Sequence, residues 1–243
     1  MIELDGSRHS GSGTLVRFGV ALAALTGRPL RVVNARESRP KPGLAGQHVA
    51  AIRACAELSD AETRGVALGV LPLACLAEAP LRVRITGGVF QDFAPSPHHL
   101  AHVPLPLLAR MGASAELEVL RPGYARGGEG QIELRVRPAR RALTSLILDD
   151  PGSLSWVGGV ALASHLAVAD ALHEDLASGA TTDRHLADHL VIFAALADGV
   201  SRFSVPRLSA HVQSNLWLAE LFGARPRLDG TRVEVAGFAQ RPR

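Results

Sequence analysis

Histidine 211 lies in "LSAHVQSN" (208–215), after the turn-forming "VPRLSA" and at the start of an apolar run with helical spacing. Unpaired N–H groups at a helix start carry partial positive charge, which disfavours protonation of an imidazole and attracts phosphate. A neutral imidazole placed there is a competent nucleophile. The same position also suits a capping or partly buried ring, and spacing alone does not choose between the two.

Five other stretches hold residues of chemical interest. "DGSRHSGSGT" (5–14) sets small residues ahead of the apolar "LVRFGVALAAL", a pattern that cradles an oxyanion or phosphate. It fits neither a Walker loop nor a dinucleotide fingerprint, and a plain strand-to-helix turn explains it equally well. "RPKPGLAGQH" (39–48) gathers Arg39, the chain's only lysine Lys41, Gln47 and His48, with Arg36 just upstream. In "TDRHLADHLVIFAAL" (182–196), helical spacing puts Leu186, Leu190, Phe193 and Ala197 on one face, with His185, Asp188 and His189 within one turn. Those three make half a metal site without an evident third ligand, or a polar face lining a pocket. "PHHLAH" (97–102) reads the same way, and no metal ligands are assigned. "RPGYARGGEGQ" (121–131) sets an aromatic beside arginines and glycines, which suits RNA bases and phosphates as well as a hairpin turn.

Internal repetition supplies elements to hold these residues. "ALAALTGRPLRVVNARE" (21–37), "PLACLAEAPLRVRITGG" (72–88) and "IFAALADGVSRFSVPRL" (192–208) each show a helix end, a turn and a β-rich run. A second trio of helices starts near His48, His99 and His211, and closing strands are visible in "AELEVLRPGY" and "TRVEVAGF". The expected unit is therefore an α/β (α+β) module of about 60 residues, laying helices on a small sheet. The longer gap from His99 to His211 predicts a small insert containing the turn Asp150-Pro151-Gly152, a strand-like stretch and a helix.

Composition sets outer bounds. With 243 residues, 47% of them hydrophobic, the chain can bury one substantial core. No apolar run is long enough for a membrane span, and "MIELDGSRHS" does not read as a signal peptide. Cys55 and Cys75 are expected to be buried and inert, in a reducing cytoplasmic setting. The net charge of +3 rests on arginine, which a GC-rich genome explains as readily as a phosphate-bearing partner.

Together these segments resemble the RNA 3'-terminal phosphate cyclase family. "ELDGS", "LVRFGVALAALTGRPLRV" and "RPKPGL" followed by "QH" match its opening block in order and spacing; "ITGG" with "PSPHHLAHVPLPLLARMGA" resembles its second block. "RPGYARGGEG" is similar to its Gly-rich strand, and "LASGATTDRHLADHL" with "SAHVQSN" to its closing block. The resemblance implies three βαβαββ repeats in one domain (1–140 and 181–243), with a reduced insert (141–180) between the second and third. It implies that His211 attacks the α-phosphate of ATP and becomes adenylylated. AMP then passes to an RNA 3'-phosphate, and the neighbouring 2'-hydroxyl closes a 2',3'-cyclic phosphate. Asp188, His189, Arg17 and Ser10 fall at positions of the nucleotide site, and Arg36, Arg39, Lys41, Gln47, His48 and Asn215 at positions for the RNA end. ATP, Mg²⁺ or Mn²⁺, and RNA 3' ends are the implied cofactors and partner, in the cytoplasm, with a dimer as one reading of assembly. Some positions depart from the pattern. Ser10 and Thr14 of "HSGSGT" stand where the family has the glutamate and glutamine of a GEGGGQ-like loop, a block after "GVALGV" is missing, and His189 stands where many relatives carry Gln. The alternative these departures imply is a non-catalytic RNA-binding relative, like the branch of the family that acts in ribosome biogenesis.

Overall fold

The computed structural model describes residues 1–57, 67–90, 95–123, 129–153 and 167–242. Strand β1 (Ile2–Asp5) runs into helix α1 (Gly13–Thr26) and strand β2 (Leu30–Val33), followed by α2 (Gly46–Glu57) and α3 (Ala67–Cys75). Next come β3 (Leu81–Gly87), the short helices α4 (Pro97–His102) and α5 (Pro104–Arg110), β4 (Ser114–Arg121) and β5 (Gly130–Arg137). After α6 (Ala167–Ala177) the chain continues through α7 (Leu186–Leu196), β6 (Val200–Ser204), α8 (Ala210–Phe222), β7 (Arg225–Asp229) and β8 (Arg232–Ala236).

The mixed helix-and-strand class expected from the sequence is what is observed. Two antiparallel sheets share one order, β3-β5-β4 and β6-β8-β7, while β1 and β2 form a parallel pair. The first trio of aligned segments coincides with the ends of α1, α3 and α7 running into β2, β3 and β6. A third complete set of strands is not seen among the described residues. The chain has only residues 58–66 between α2 and α3, a stretch shorter than β4, its turn and β5 together.

Helix α7 is the axis of the core. Ten of its residues, Leu186 through Leu196 except His189, are buried, so the single apolar face expected for it becomes burial on every side. A helix that is apolar all round belongs in an interior. It packs on α8, α3, β6 and β8, and α1 packs on α2, α3 and α8. Caps fix where the helices begin. Ser12 Oγ accepts the Thr14 N–H at α1, and Ser209 Oγ accepts the Val212 N–H at 3.2 Å at α8, each contributing about 1 kcal/mol. Gly223, at φ 109°, ends α8 in a conformation that L side chains rarely adopt.

Cys55 and Cys75 are buried, and burial pushes their thiols up to about 11 and about 12; at neutral pH they are packing groups. On β5, Glu133 lies among Arg82, Arg84 and Arg135 with its side chain nearly inaccessible. Among the described residues, no helix is long and apolar enough to cross a membrane.

In the expected insert, the Asp150 carboxylate accepts the Gly152 N–H at 2.8 Å, closing the predicted turn. Helix α6 is tied to the start of α7 through Arg184, which meets Asp175 and Glu174 at 2.9 Å each. The stretch from 141 to 148, read as the opening of the insert, instead runs beside β6: Thr144 and Ile147 bridge Asp198 and Arg202, and Leu143 and Leu146 join the core. The strand-like stretch around Trp156 and the motif around Tyr124 lie outside the described residues.

Candidate active site

The turn after β1, the start of α1, the loop after β2 and the first turns of α7 and α8 converge on one place. Asp188, in the first turn of α7, is its one buried acid. Its carboxylate meets His189 Nδ1 at 2.9 Å, and the same Nδ1–H reaches the His185 carbonyl at 2.7 Å. Burial, the largest influence, works to raise the Asp188 carboxyl. The bond from His189, its charge and the field of His211 outweigh it and hold the group below its ordinary value. Burial likewise works against the His189 imidazolium, but Asp188 and the His185 carbonyl raise it above the usual histidine value. The two form a buried hydrogen-bonded pair, an ion pair when His189 is protonated, and the His189 ring packs T-shaped on Phe18.

Arg17 extends from α1 toward this pair. Its guanidinium donates to Thr14 Oγ1 at 3.3 Å, and its Nε is buried with no partner among the described residues. Burial lowers it to about 10, with Asp188 opposing and Arg36 reinforcing the shift, so it stays charged at neutral pH.

The loop carrying "RPKPGL" is folded by its own hydrogen bonds. The Gly43 N–H donates to Ala35 O at 2.8 Å, the Arg39 N–H to Arg36 O at 3.0 Å, and Arg36 Nη1 to Gly43 O at 2.9 Å. Asn34 and Arg36 stand at positive φ, 49° and 58°, a local strain that surrounding contacts must hold. The loop brings Arg36 to Arg17 and His48, and Arg39 to His211. Lys41 on the loop and Gln47, the second residue of α2, are exposed, with no side-chain hydrogen bond or ion pair among the described residues.

His211 is the second residue of α8 and is half-buried. Burial depresses its pKa most; Asp188 opposes that, and Arg39, His189 and Arg17 add to it. The ring is therefore neutral at neutral pH, in the field of guanidiniums and one carboxylate.

Three expected contact residues face inward instead. His48 is 1% exposed; its Nδ1 accepts the Ala45 N–H at 2.9 Å, and burial, with Arg17 and Arg36, drops its pKa to about 4. Asn215 is fully buried and donates to the Asp188 carbonyl at 2.7 Å, holding α8 to α7. Ser10 belongs to a hydroxyl chain: its Oγ lies 3.0 Å from Ser12 Oγ and 2.7 Å from Ser214 Oγ, which also accepts the Ser10 N–H. These residues fix the walls of the site. Ser12 and Ser214 were not singled out from the sequence, although both lie in the stretches that open α1 and α8.

His185, Asp188 and His189 do not converge as metal ligands. His185 packs edge-on to His99, whose Nε2 meets Asp183 at 3.0 Å. Among the described residues, no group of three or more His, Cys, Asp or Glu side chains is placed to hold a metal ion. Ser10 supplies no charge, and Asp188 is committed to His189, so the residues present do not form a metal site of their own.

The family described as RNA 3'-terminal phosphate cyclase matches residues 8–70 and 66–226. The chain belongs to that family. Among curated RNA 3'-terminal phosphate cyclases, that of Pseudomonas aeruginosa is 32% identical, covering 91% of this chain and 92% of its own. That of Methylococcus capsulatus is 30% identical over 92% and 91%, and that of Archaeoglobus fulgidus 28% identical over 97% and 100%. The Methylococcus alignment runs over 329 positions, more than the 243 residues of this chain, so the cyclase there carries segments that are absent here. The family match takes in every residue of the cluster around His211.

Proposed function

We propose that the protein converts an RNA 3'-phosphate to a 2',3'-cyclic phosphate, using ATP and a covalent adenylate on His211. The observation that carries this reading is a half-buried, neutral imidazole on the second residue of α8, in the electrostatic field of Arg17, Arg39 and Asp188. The ring's lone pair attacks the α-phosphorus: a P–N bond forms, the bond to the bridging oxygen breaks, and pyrophosphate leaves. An oxygen of the RNA 3'-phosphate then attacks the adenylate phosphorus, and the P–N bond breaks to return the ring neutral. Finally the neighbouring 2'-oxygen attacks the 3'-phosphorus, its proton goes to solvent, and AMP departs. Arg17, Arg36, Arg39 and Lys41 disperse the phosphate charge, and the free Arg17 Nε is a donor suited to a phosphate oxygen. Gln47 lies on the RNA side, and Asp188 with His189 faces the nucleotide. A divalent ion would arrive with the triphosphate, and no step is assigned to it. The domain is read as three βαβαββ repeats, the second of them shortened, with a reduced insert between the second and third.

A second reading has one observation in its favour. Ser10, at the position of the family's glutamate, is absorbed into the Ser12–Ser214 hydroxyl chain, which fits an RNA-binding relative without catalysis. Incubation with α-labelled ATP and Mg²⁺ or Mn²⁺ separates the two. The cyclase reading expects an acid-labile label on the wild type and none on His211→Ala. Absence of label at every metal concentration, with RNA binding intact in both proteins, overturns it in favour of the binding module.

A further inference from the structure

A second basic cleft lies at the opposite end of α7 from the candidate active site. Its volume is about 700 Å³, and Arg140, Arg141 and Arg241 stand on its walls with Thr144 and Asp198. The cleft has a firm frame. Asp198 N–H donates to Leu143 O at 2.6 Å and Ser145 N–H to Asp198 O at 3.2 Å, fixing one wall. On the other, Phe238, Ala239 and Gln240 donate N–H to the carbonyls of Ala195, Ala197 and Leu196 at 2.9 to 3.0 Å, closing the end of α7.

None of the three arginines forms an ion pair among the described residues, although many arginines elsewhere do, as at Glu133, Glu116 and Asp175. All three are exposed. Three unpaired guanidiniums against the single carboxylate of Asp198 make a site for a chain of negative charges. An isolated phosphate would engage only part of it.

We infer that this cleft holds the phosphodiester backbone of the RNA upstream of its 3' end; the inference rests on the RNA-end reading of the His211 site. Leu186 and Leu196 are the two ends of α7, and at a helical rise of about 1.5 Å per residue they are about 15 Å apart. A stacked strand places a phosphate about every 3.4 Å, so a backbone spanning that distance contributes roughly four or five nucleotides. RNAs shorter than that are held by the His211 site alone. Longer ones add the arginine contacts, which are indifferent to sequence because they meet only phosphates.

The test compares a 3'-phosphorylated trimer with a 12-mer, using wild type and the triple variant Arg140→Ala/Arg141→Ala/Arg241→Ala. The expected result is a tenfold or greater loss of affinity for the 12-mer and an unchanged trimer affinity. The slope of log Kd against log salt should flatten by about two, since each single-strand phosphate contact accounts for about 0.7. The matching Arg→Lys triple variant keeps the charge and should restore most of the slope. Equal affinity of wild type and the alanine variant for the 12-mer overturns the inference, as does an equal loss for both RNAs. Competition by poly-glutamate as strong as by RNA, lost in the triple variant, reassigns the cleft to an acidic protein segment and also overturns it. The His211-dependent label from ATP is read in parallel. Its absence in both proteins marks failure of the cyclase reading, whereas its presence with no length effect marks failure of this one.

Discussion

His211 and His48 both open helices, carry depressed pKa values and lie beside Arg17, yet they stand in different relations to solvent. His48 is the third residue of α2 and His211 the second of α8, and His99 is the third of α4. One position along a helix turns a side chain by about 100°. At the third position the ring swings inward: His48 accepts the Ala45 N–H and His99 meets Asp183. At the second position His211 stays half-open toward the arginines. Three histidines that look equivalent in a sequence alignment therefore differ in setting: His48 and His99 hold partners within the fold, and His211 stays half-open. The ring's position relative to the helix start separates them.

The largest effect expected from this contrast comes from the seat of His48. A Cβ at Gly13 would collide with His48 Nε2, so α1 can begin where it does only because residue 13 has no side chain. Gly13→Ala should cost about 2–3 kcal/mol by urea unfolding, in the range of overpacked interiors. His48→Gly in the same chain should recover most of that. A Gly13→Ala protein as stable as wild type would show that the wall is not built as described.

These contrasts also show how far the sequence could be read. Helix ends and strands of the first trio were legible because apolar spacing changes from helical to alternating at a Gly or Pro turn. The cluster of Arg17, Arg36, Arg39, Asp188 and His211 was legible because ordered motifs tied distant segments together. The inward turn of His48 and Asn215 was not, since it depends on a single-residue offset at helix starts and on the α7–α8 contact. The block missing after "GVALGV" was visible only against the family's pattern. The role of Ser10 depended on Ser214, which lies 204 residues away. Burial of α7 on all sides also escaped a periodicity argument, because a wholly apolar helix has no periodicity to read.

A smaller effect concerns pH. His48 titrates near 4 in the folded protein, against about 6.5 in an unfolded chain. Between those values the unfolded state binds more protons, so stability from this ring is complete above about pH 6.5 and falls as pH drops toward 4. His48→Gln keeps a polar side chain and removes the titration. Urea midpoints measured from pH 7 to pH 4.5 should fall more steeply for wild type than for the variant. Parallel slopes would mean that the ring is not buried in its neutral form.

The smallest expected effect is the most diagnostic. If His211 is held open for chemistry, its ring makes little contribution to folding, and His211→Ala should shift stability by no more than about 0.5 kcal/mol, the ordinary range for a substitution away from a packed core. Its neighbour Asn215 gives the scale for comparison. That side chain is fully buried with one bond to the Asp188 carbonyl, and its Oδ1 has no partner among the described residues. Truncating it removes a buried hydrogen bond and leaves a cavity, a loss of about 1–3 kcal/mol. The two residues are one helical turn apart, so a difference between them cannot come from helix propensity or from a changed cap, since both are replaced by alanine and Ser209 is untouched. A His211→Ala protein destabilised as much as Asn215→Ala would make the ring a packing group. The depressed pKa would then be a by-product of burial, with no bearing on nucleophilic attack.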